Sequence, residues 1–302
     1  MVLRVGYVHE HFSSPVLQLA EADNGKTFTL TSCPGGTGQL IAALTNNEVD
    51  VAIALTDALI TGIARGSTAY KLVGSYVSTP LNWAVITGAQ SEYQSIADLR
   101  GTTIGISRPG SGSQTVASVM AMNQGWFEPE GDNKVEKLKF KVNDNLEGLN
   151  ASVNDGSTSA FLWEWFTTKP HADAGEVRFI GSVPTPWPSW LIAAHPSADR
   201  APPAELRAFL QSLTQYARAF DAPEKRQGDN VEFIKSVFGY PEEDVRAWMQ
   251  TVGYVNDCSV IDSNVLQTTL SILEQAGVVE KPAGGFEIKD FVHSAPGVTR
   301  LQ

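Results

Sequence analysis

Thr102-Thr103-Ile104-Gly105-Ile106-Ser107-Arg108-Pro109-Gly110-Ser111-Gly112-Ser113-Gln114 is a strand, a glycine-rich turn and the opening of a helix. The β-branched residues before Ser107 suit a pleated, half-buried surface. Pro109 and the glycines break the strand, and the serines suit a helix start, where a side-chain oxygen can satisfy an orphan N–H. The helix then runs over 113–124. Strand, tight turn and helix in that order are the repeating unit of an α/β sheet.

The same unit recurs outward in both directions. Strands are expected at 3–8, 27–32, 49–55, 71–78, 82–87, 136–141, 159–163, 176–182 and 189–195, and helices at 13–23, 36–46, 56–65, 144–154 and 164–170. This alternation predicts mostly parallel sheets covered by helices on both faces. Past residue 200 the pattern turns helical: Pro202-Pro203 opens a helix over 206–220, and others follow at 223–238, 242–252 and 262–276. The tail from Lys281 to Gln302 reads as an extension lying on the surface. There is an internal echo: 43–53 and 152–162 each end a helix, turn and enter a strand, and each follows a glycine-rich helix start, at 35–38 and 110–113. Two similar lobes would produce it.

Composition limits the function classes. Hydrophobic residues make up 42% and charged residues 18%, as in a globular chain. The net charge of −11 argues against non-specific binding to nucleic acid or anionic membrane. No apolar run reaches the length of a membrane span. Cys33 and Cys258 are too few and too far apart for a disulfide framework or a metal cluster; two free thiols are the preferred reading, with one long-range disulfide as the alternative. No leader-like segment precedes the strand at Leu3, so a cytoplasmic location is expected.

Candidate ligand contacts gather where strands end. Gly36, Thr37, Gly38 and Gln39 open one helix, and Ser107, Arg108, Ser111, Gly112 and Ser113 open another. Orphan N–H groups and hydroxyls at such points suit anions and carbonyl oxygens. Neither segment is a nucleotide P-loop, a dinucleotide fingerprint or a hydrolase elbow. Five tryptophans, Trp83, Trp163, Trp165, Trp187 and Trp190, fall at strand ends or at suspected crossings between lobes. His9 and His11 flank Glu10 after the first strand; with no third ligand in evidence, hydrogen bonding to a ligand is preferred to metal binding. Thr56 and Asp57 begin a helix, with Asp57 as its cap.

Taken together, Leu3–Tyr7, Gly36–Gln39, Val49–Ala52 and Ser95-Ile96-Ala97-Asp98-Leu99-Arg100-Gly101-Thr102-Thr103-Ile104-Gly105 resemble type II periplasmic binding proteins. The branch is the one serving sulfonate, nitrate, taurine and thiamine-pyrimidine transporters, which also includes fungal thiamine-pyrimidine synthases. Phe161-Leu162-Trp163-Glu164 and Thr185-Pro186-Trp187-Pro188 are similar to leaderless fungal members. The resemblance covers residues 1–200 well and the C-terminal helices loosely.

It implies a two-lobed α/β Venus-flytrap fold with mixed sheets, flanking helices and extra C-terminal helices. Residues 1–86 plus 189–302 would form lobe 1 and 87–188 an inserted lobe 2, with a hinge near 84–88 and 183–188. A small polar or anionic metabolite, such as a thiamine-pyrimidine precursor, a sulfonate or a carboxylate, would sit in the interlobe cleft. His9, His11, Gly36–Gln39, Thr56, Asp57, Trp83, Ser107, Arg108, Ser111–Ser113, Trp163, Glu164 and Trp187 would contact it. The expected role is an intracellular carrier or sensor without cofactor or metal. Two alternatives stand beside it. One is an enzyme of vitamin or pyrimidine-precursor metabolism using His9, His11 and Glu164 for acid–base work. The other is a secreted transporter subunit whose leader has been removed. The cysteine-rich motif of the synthases is missing, so their iron chemistry does not carry over.

Overall fold

Val51–Leu55 is Val-Ala-Ile-Ala-Leu, and all five residues are buried. A strand buried on both faces belongs in the middle of a helix-covered sheet. The computed structural model, which describes residues 1–128 and 134–302, places it there. The chain divides into two units.

Unit 1 comprises residues 1–79, 187–267 and 284–302. It begins β1 (Leu3–Tyr7), α1 (Ser14–Asp23), β2 (Phe28–Ser32), α2 (Thr37–Thr45), β3 (Val51–Leu55), α3 (Thr56–Ala64) and β4 (Lys71–Val77). Unit 2 comprises residues 80–186 and 268–283. It holds β5 (Asn82–Gly88), β6 (Thr103–Ile106), α4 (Gly112–Asn123), β7 (Lys139–Val142), α5 (Leu146–Asn154), β8 (Ala160–Glu164), α6 (Trp165–Asp173) and β9 (Val177–Pro184). The chain returns to unit 1 with β10 (Trp190–Ala194) and α7 (Pro203–Asp221). Then come α8 (Pro223–Gln227), α9 (Asp229–Phe238), α10 (Glu242–Met249), β11 (Val260–Ile261), α11 (Ser263–Gln275) and β12 (Arg300–Leu301).

Each unit contains a five-stranded sheet, and the two have the same topology. The orders are β2-β1-β3-β10-β4 and β7-β6-β8-β5-β9. β1 pairs in parallel with β2 and β3, as β6 does with β7 and β8. β10 runs antiparallel to β3 and β4, and β5 antiparallel to β8 and β9. One strand in each sheet therefore runs against the other four, so the sheets are mixed, with four of the five strands in one direction. In each case the reversed strand is the one not delivered by the β-α-β run.

This topology supports half of the sequence echo and corrects the other half. Residues 43–53 and 152–162 are equivalent, being the passages α2–β3 and α5–β8. The glycine-rich starts are not. Gly36 precedes α2, whereas Ser111 precedes α4, whose counterpart in unit 1 is α1. Sequence distance alone does not show which strand each turn follows.

Other differences have local causes. The crossings lie at Thr79–Pro80 and Pro186–Trp187, not within 84–88, because β5 is paired along its whole length in unit 2. Residues 268–283 cluster with unit 2 although they follow the C-terminal helices of unit 1. The helix expected over 223–238 is two, broken at Gly228 with φ −128° and ψ −99°. The tail is more than a surface extension: Phe291 and Val298 are buried, Val292 bridges Leu72, and β12 pairs with β11.

Unit 1 is tied at the amino end of its sheet by Asp50. Its buried carboxylate accepts from Arg4 N, Nε and Nη2 at 3.0, 3.0 and 2.7 Å, and from Arg200 Nε and Nη2 at 2.9 and 2.8 Å. α7 closes the same unit with Leu206, Phe209, Leu210, Leu213, Ala217 and Phe220 buried, the three- and four-residue spacing of one helix face.

Candidate functional site

The carboxyl ends of the strands carry the turns that lead into helices, which is where open α/β sheets hold ligands. In unit 2 these turns are 107–111 after β6, 143–145 after β7, and Glu164 after β8.

The turn after β6 is the most concentrated. Gly110 takes φ +78°, a left-handed conformation natural to glycine. Its N–H donates to Gln114 Oε1 at 2.7 Å, which fixes the turn on the first turn of α4. Ser111 is the extended residue before α4, yet its side chain does not cap the helix. Instead Ser111 Oγ and Ser113 Oγ lie 3.0 Å apart. Ser107, Ser111 and Ser113 are all buried. Gln114 N and Thr115 N donate to the Ser111 carbonyl at 3.1 and 3.2 Å, while the Gly112 and Ser113 amides have no backbone acceptor among the described residues. Arg108 is half-buried, and desolvation pulls its guanidinium pKa below the ordinary value while Asp144, at the head of α5, opposes the shift. Hydroxyls, helix amides and an arginine thus follow one another at the end of β6, a donor-rich stretch suited to an anionic or acceptor-rich group.

Trp83 lies two strands along the same edge. It is 5% exposed and is the second residue of β5, opposite Glu164. Its indole N–H has no hydrogen-bond partner among the described residues. Glu164 is occupied: its Oε2 accepts from Thr167 N at 2.7 Å and Thr167 Oγ1 at 2.9 Å, which caps α6. Trp163 points to the other role that tryptophan plays, packing against the cluster of Ala84, Ile86, Leu149, Val153, Phe161 and Val177.

In unit 1 many of the expected contacts are structural. Gln39 Oε1 accepts from Gly35 N at 2.7 Å, the same device as Gly110 with Gln114. Thr37 Oγ1 accepts from Leu55 N at 3.2 Å, pinning α2 to the end of β3. Gly36, at φ +74°, and Gly38 shape that turn. Thr56 Oγ1 donates to the Pro188 carbonyl at 2.6 Å. Asp57 is not the cap of α3; Leu55 holds that position, and buried Asp57 lies in the first turn, where the helix dipole favours a carboxylate. Trp187 is buried just past the second crossing.

The two histidines part company. His11 is fully buried, its ring 4.7 Å from Phe12, 5.2 Å from Tyr240 and 4.5 Å from Trp248 between centroids. His9 is exposed, with Nδ1 3.5 Å from Tyr7 Oη and its ring 4.9 Å from Phe238. Tyr7, Phe238 and Asp144 were not foreseen as site residues, and Trp190 stood only among the five tryptophans near strand ends or crossings. Trp190 had a readable signal: it lies at the start of β10 opposite Leu55, as Trp83 lies near the start of β5 opposite Glu164. Its indole N–H is likewise buried without a hydrogen-bond partner among the described residues. Tyr7 closes the first strand, a position that marks the carboxyl edge without any motif.

Among the described residues no group of three or more His, Cys, Asp or Glu is placed to hold a metal ion, and no helix is long and apolar enough to cross a membrane.

The sequence profile of the Ca3427-like PBP family matches residues 83–183. The conserved CA3427 gene product of Candida albicans, described as defining a new family with the generic periplasmic binding protein fold, is 30% identical to this chain. Its structure superposes with a TM-score of 0.86, covering 100% of this chain and 98% of that one. The alkanesulfonate-binding protein SsuA from Xanthomonas axonopodis pv. citri, bound to MOPS, is 14% identical with a TM-score of 0.72 over 99% of this chain and 98% of that one. The periplasmic nitrate-binding protein NrtA from Synechocystis is 14% identical with a TM-score of 0.71, over 97% of this chain and 86% of that one. At those identities the last two show a shared fold. No curated protein sequence matches the chain.

Proposed function

This chain belongs to the Ca3427-like family of proteins with the periplasmic binding protein fold, and on that premise we propose that it binds a small polar or anionic metabolite as a carrier or sensor. The observation that carries the reading is the turn at the head of α4, where Ser107, Arg108, Ser111 and Ser113 lie beside the amides of Gly112 and Ser113, the two of the first turn without a backbone acceptor among the described residues. That the similarly folded neighbours are named for alkanesulfonate and nitrate supports an anion. A sulfonate, a carboxylate or a thiamine-pyrimidine precursor fits the donor-rich edge.

An acid–base enzyme finds less support, because Glu164 is committed to capping α6 and His11 is enclosed by aromatic rings. The test is thermal unfolding of the full chain against MOPS, taurine, nitrate, small carboxylates and hydroxymethylpyrimidine. A ligand at about 100 times its Kd stabilises by about 2.7 kcal/mol, a shift of several degrees. Ser113→Asp places a negative charge in the cluster and should abolish the shift. A full panel without response, or one that Ser113→Asp leaves intact, overturns the assignment to this edge.

A further inference from the structure

We propose that unit 1 carries a second small-molecule site, shaped for an organic anion with an apolar body. A cavity of about 580 Å³ lies beside the β4 edge of its sheet, within the usual range of ligand pockets. Val77 of β4, Leu191 of β10, Val260 of β11 and Val265 of α11 give it an apolar lining. It shares no residue with the cluster at the head of α4 and does not depend on it.

The charges at its rim are unequally committed. Asp257 accepts from Ser259 N at 2.9 Å, Ser259 Oγ at 2.6 Å and Arg300 Nη2 at 2.7 Å. Asp262 accepts from Asn264 N at 2.8 Å, at the start of α11. Gln302 O accepts from Ser263 N and Oγ at 2.8 and 2.6 Å. Arg218 is different. Its Nε donates to the Asn256 carbonyl at 2.6 Å, which sets the guanidinium plane. Its two terminal nitrogens make no hydrogen bond among the described residues, although Asp257 is near enough to interact with the guanidinium electrostatically, and the Asn256 side chain makes no hydrogen bond among them either. A guanidinium fixed at one nitrogen and open at two others is a fork for a carboxylate or sulfonate. The apolar lining takes the rest of the molecule. Ser78 and Pro188 also line the cavity, each close to a point where the chain passes between the units.

The probe is anilinonaphthalene sulfonate, titrated by fluorescence into the full-length folded protein. The expected result is one saturable equivalent. Arg218→Gln should weaken binding about tenfold, the effect of losing a charged hydrogen-bond partner. Val265→Phe, which fills the cavity from an incompletely buried helix position, should weaken it at least as much. Ser113→Asp should leave it unchanged, which separates this site from the α4 cluster. No saturable binding by the folded protein, titrations of Arg218→Gln and Val265→Phe that match the parent, or loss in Ser113→Asp alone would each overturn the proposal.

Discussion

Trp83 and Glu164 face each other directly across β5 and β8, at the end of unit 2's sheet where helices begin. One presents a buried indole N–H without a hydrogen-bond partner among the described residues; the other spends its carboxylate on Thr167. Neighbours in one register position therefore do different work. For Glu164 the consequence is measurable as stability. Glu164→Ala removes the cap of α6 and should cost about 1 kcal/mol, whereas Glu164→Gln keeps an acceptor and should cost less. Urea unfolding of both variants separates this from an acid–base role, in which the two changes would be equally damaging to turnover.

Asp50 is the joint of unit 1, accepting five hydrogen bonds from two arginines. The arginines keep partial access to water, with side chains 38% and 28% exposed, so removing Asp50 does not strand fully buried charges. Asp50→Ala is expected to cost about 2–3 kcal/mol, below the range for a wholly buried pair. The denaturation midpoint should fall with its slope unchanged.

Gly110 holds the turn before α4 at φ +78°, with nothing near the place a Cβ would occupy. Gly110→Ala therefore tests conformation and not packing, and should cost about 1–2 kcal/mol. Gly110→Asn should cost less, because asparagine tolerates that region. Thermal melts of the two variants would show the order.

Cys258 is fully buried, and burial pushes its thiol up to about 12 from 9.0. Buried Cys33 is also raised, chiefly by burial. Both thiols should resist Ellman's reagent in the native state at pH 8 and react fully in denaturant. The linkage has a definite sign. The folded state holds the Cys258 proton more tightly than the unfolded chain, so its contribution to stability is complete below pH 9. It then falls as pH rises toward 12. A stability profile that stayed flat from pH 9 upward would contradict this.

Much of the site was legible because its signals are local. Ser107-Arg108-Pro109-Gly110-Ser111-Gly112-Ser113 announces a strand end, a left-handed turn and a helix start within seven residues. Gly36–Gln39 gives the same local signal, and there the reading stopped short. The sequence does not show that Gln39 folds back on Gly35 or that Thr37 is spent on Leu55. His11 illustrates the other limit. Its enclosing rings come from Phe12 beside it but also from Tyr240 and Trp248, far along the chain. No spacing rule brings those together.

By itself the sequence determined the succession of strands and helices, the two-part α/β character and the glycine turns, since periodicity, β-branching and backbone conformation act over a few residues. Tertiary structure decided the rest. It set β10 between β3 and β4, and β5 between β8 and β9, and so put Trp190 and Trp83 at equivalent edges. It also decided which polar groups at those edges remain open to a ligand and which are consumed by the fold. The physical reason is that strand order and hydrogen-bond satisfaction are settled by residues distant in the chain, each of which must find a partner once water is excluded.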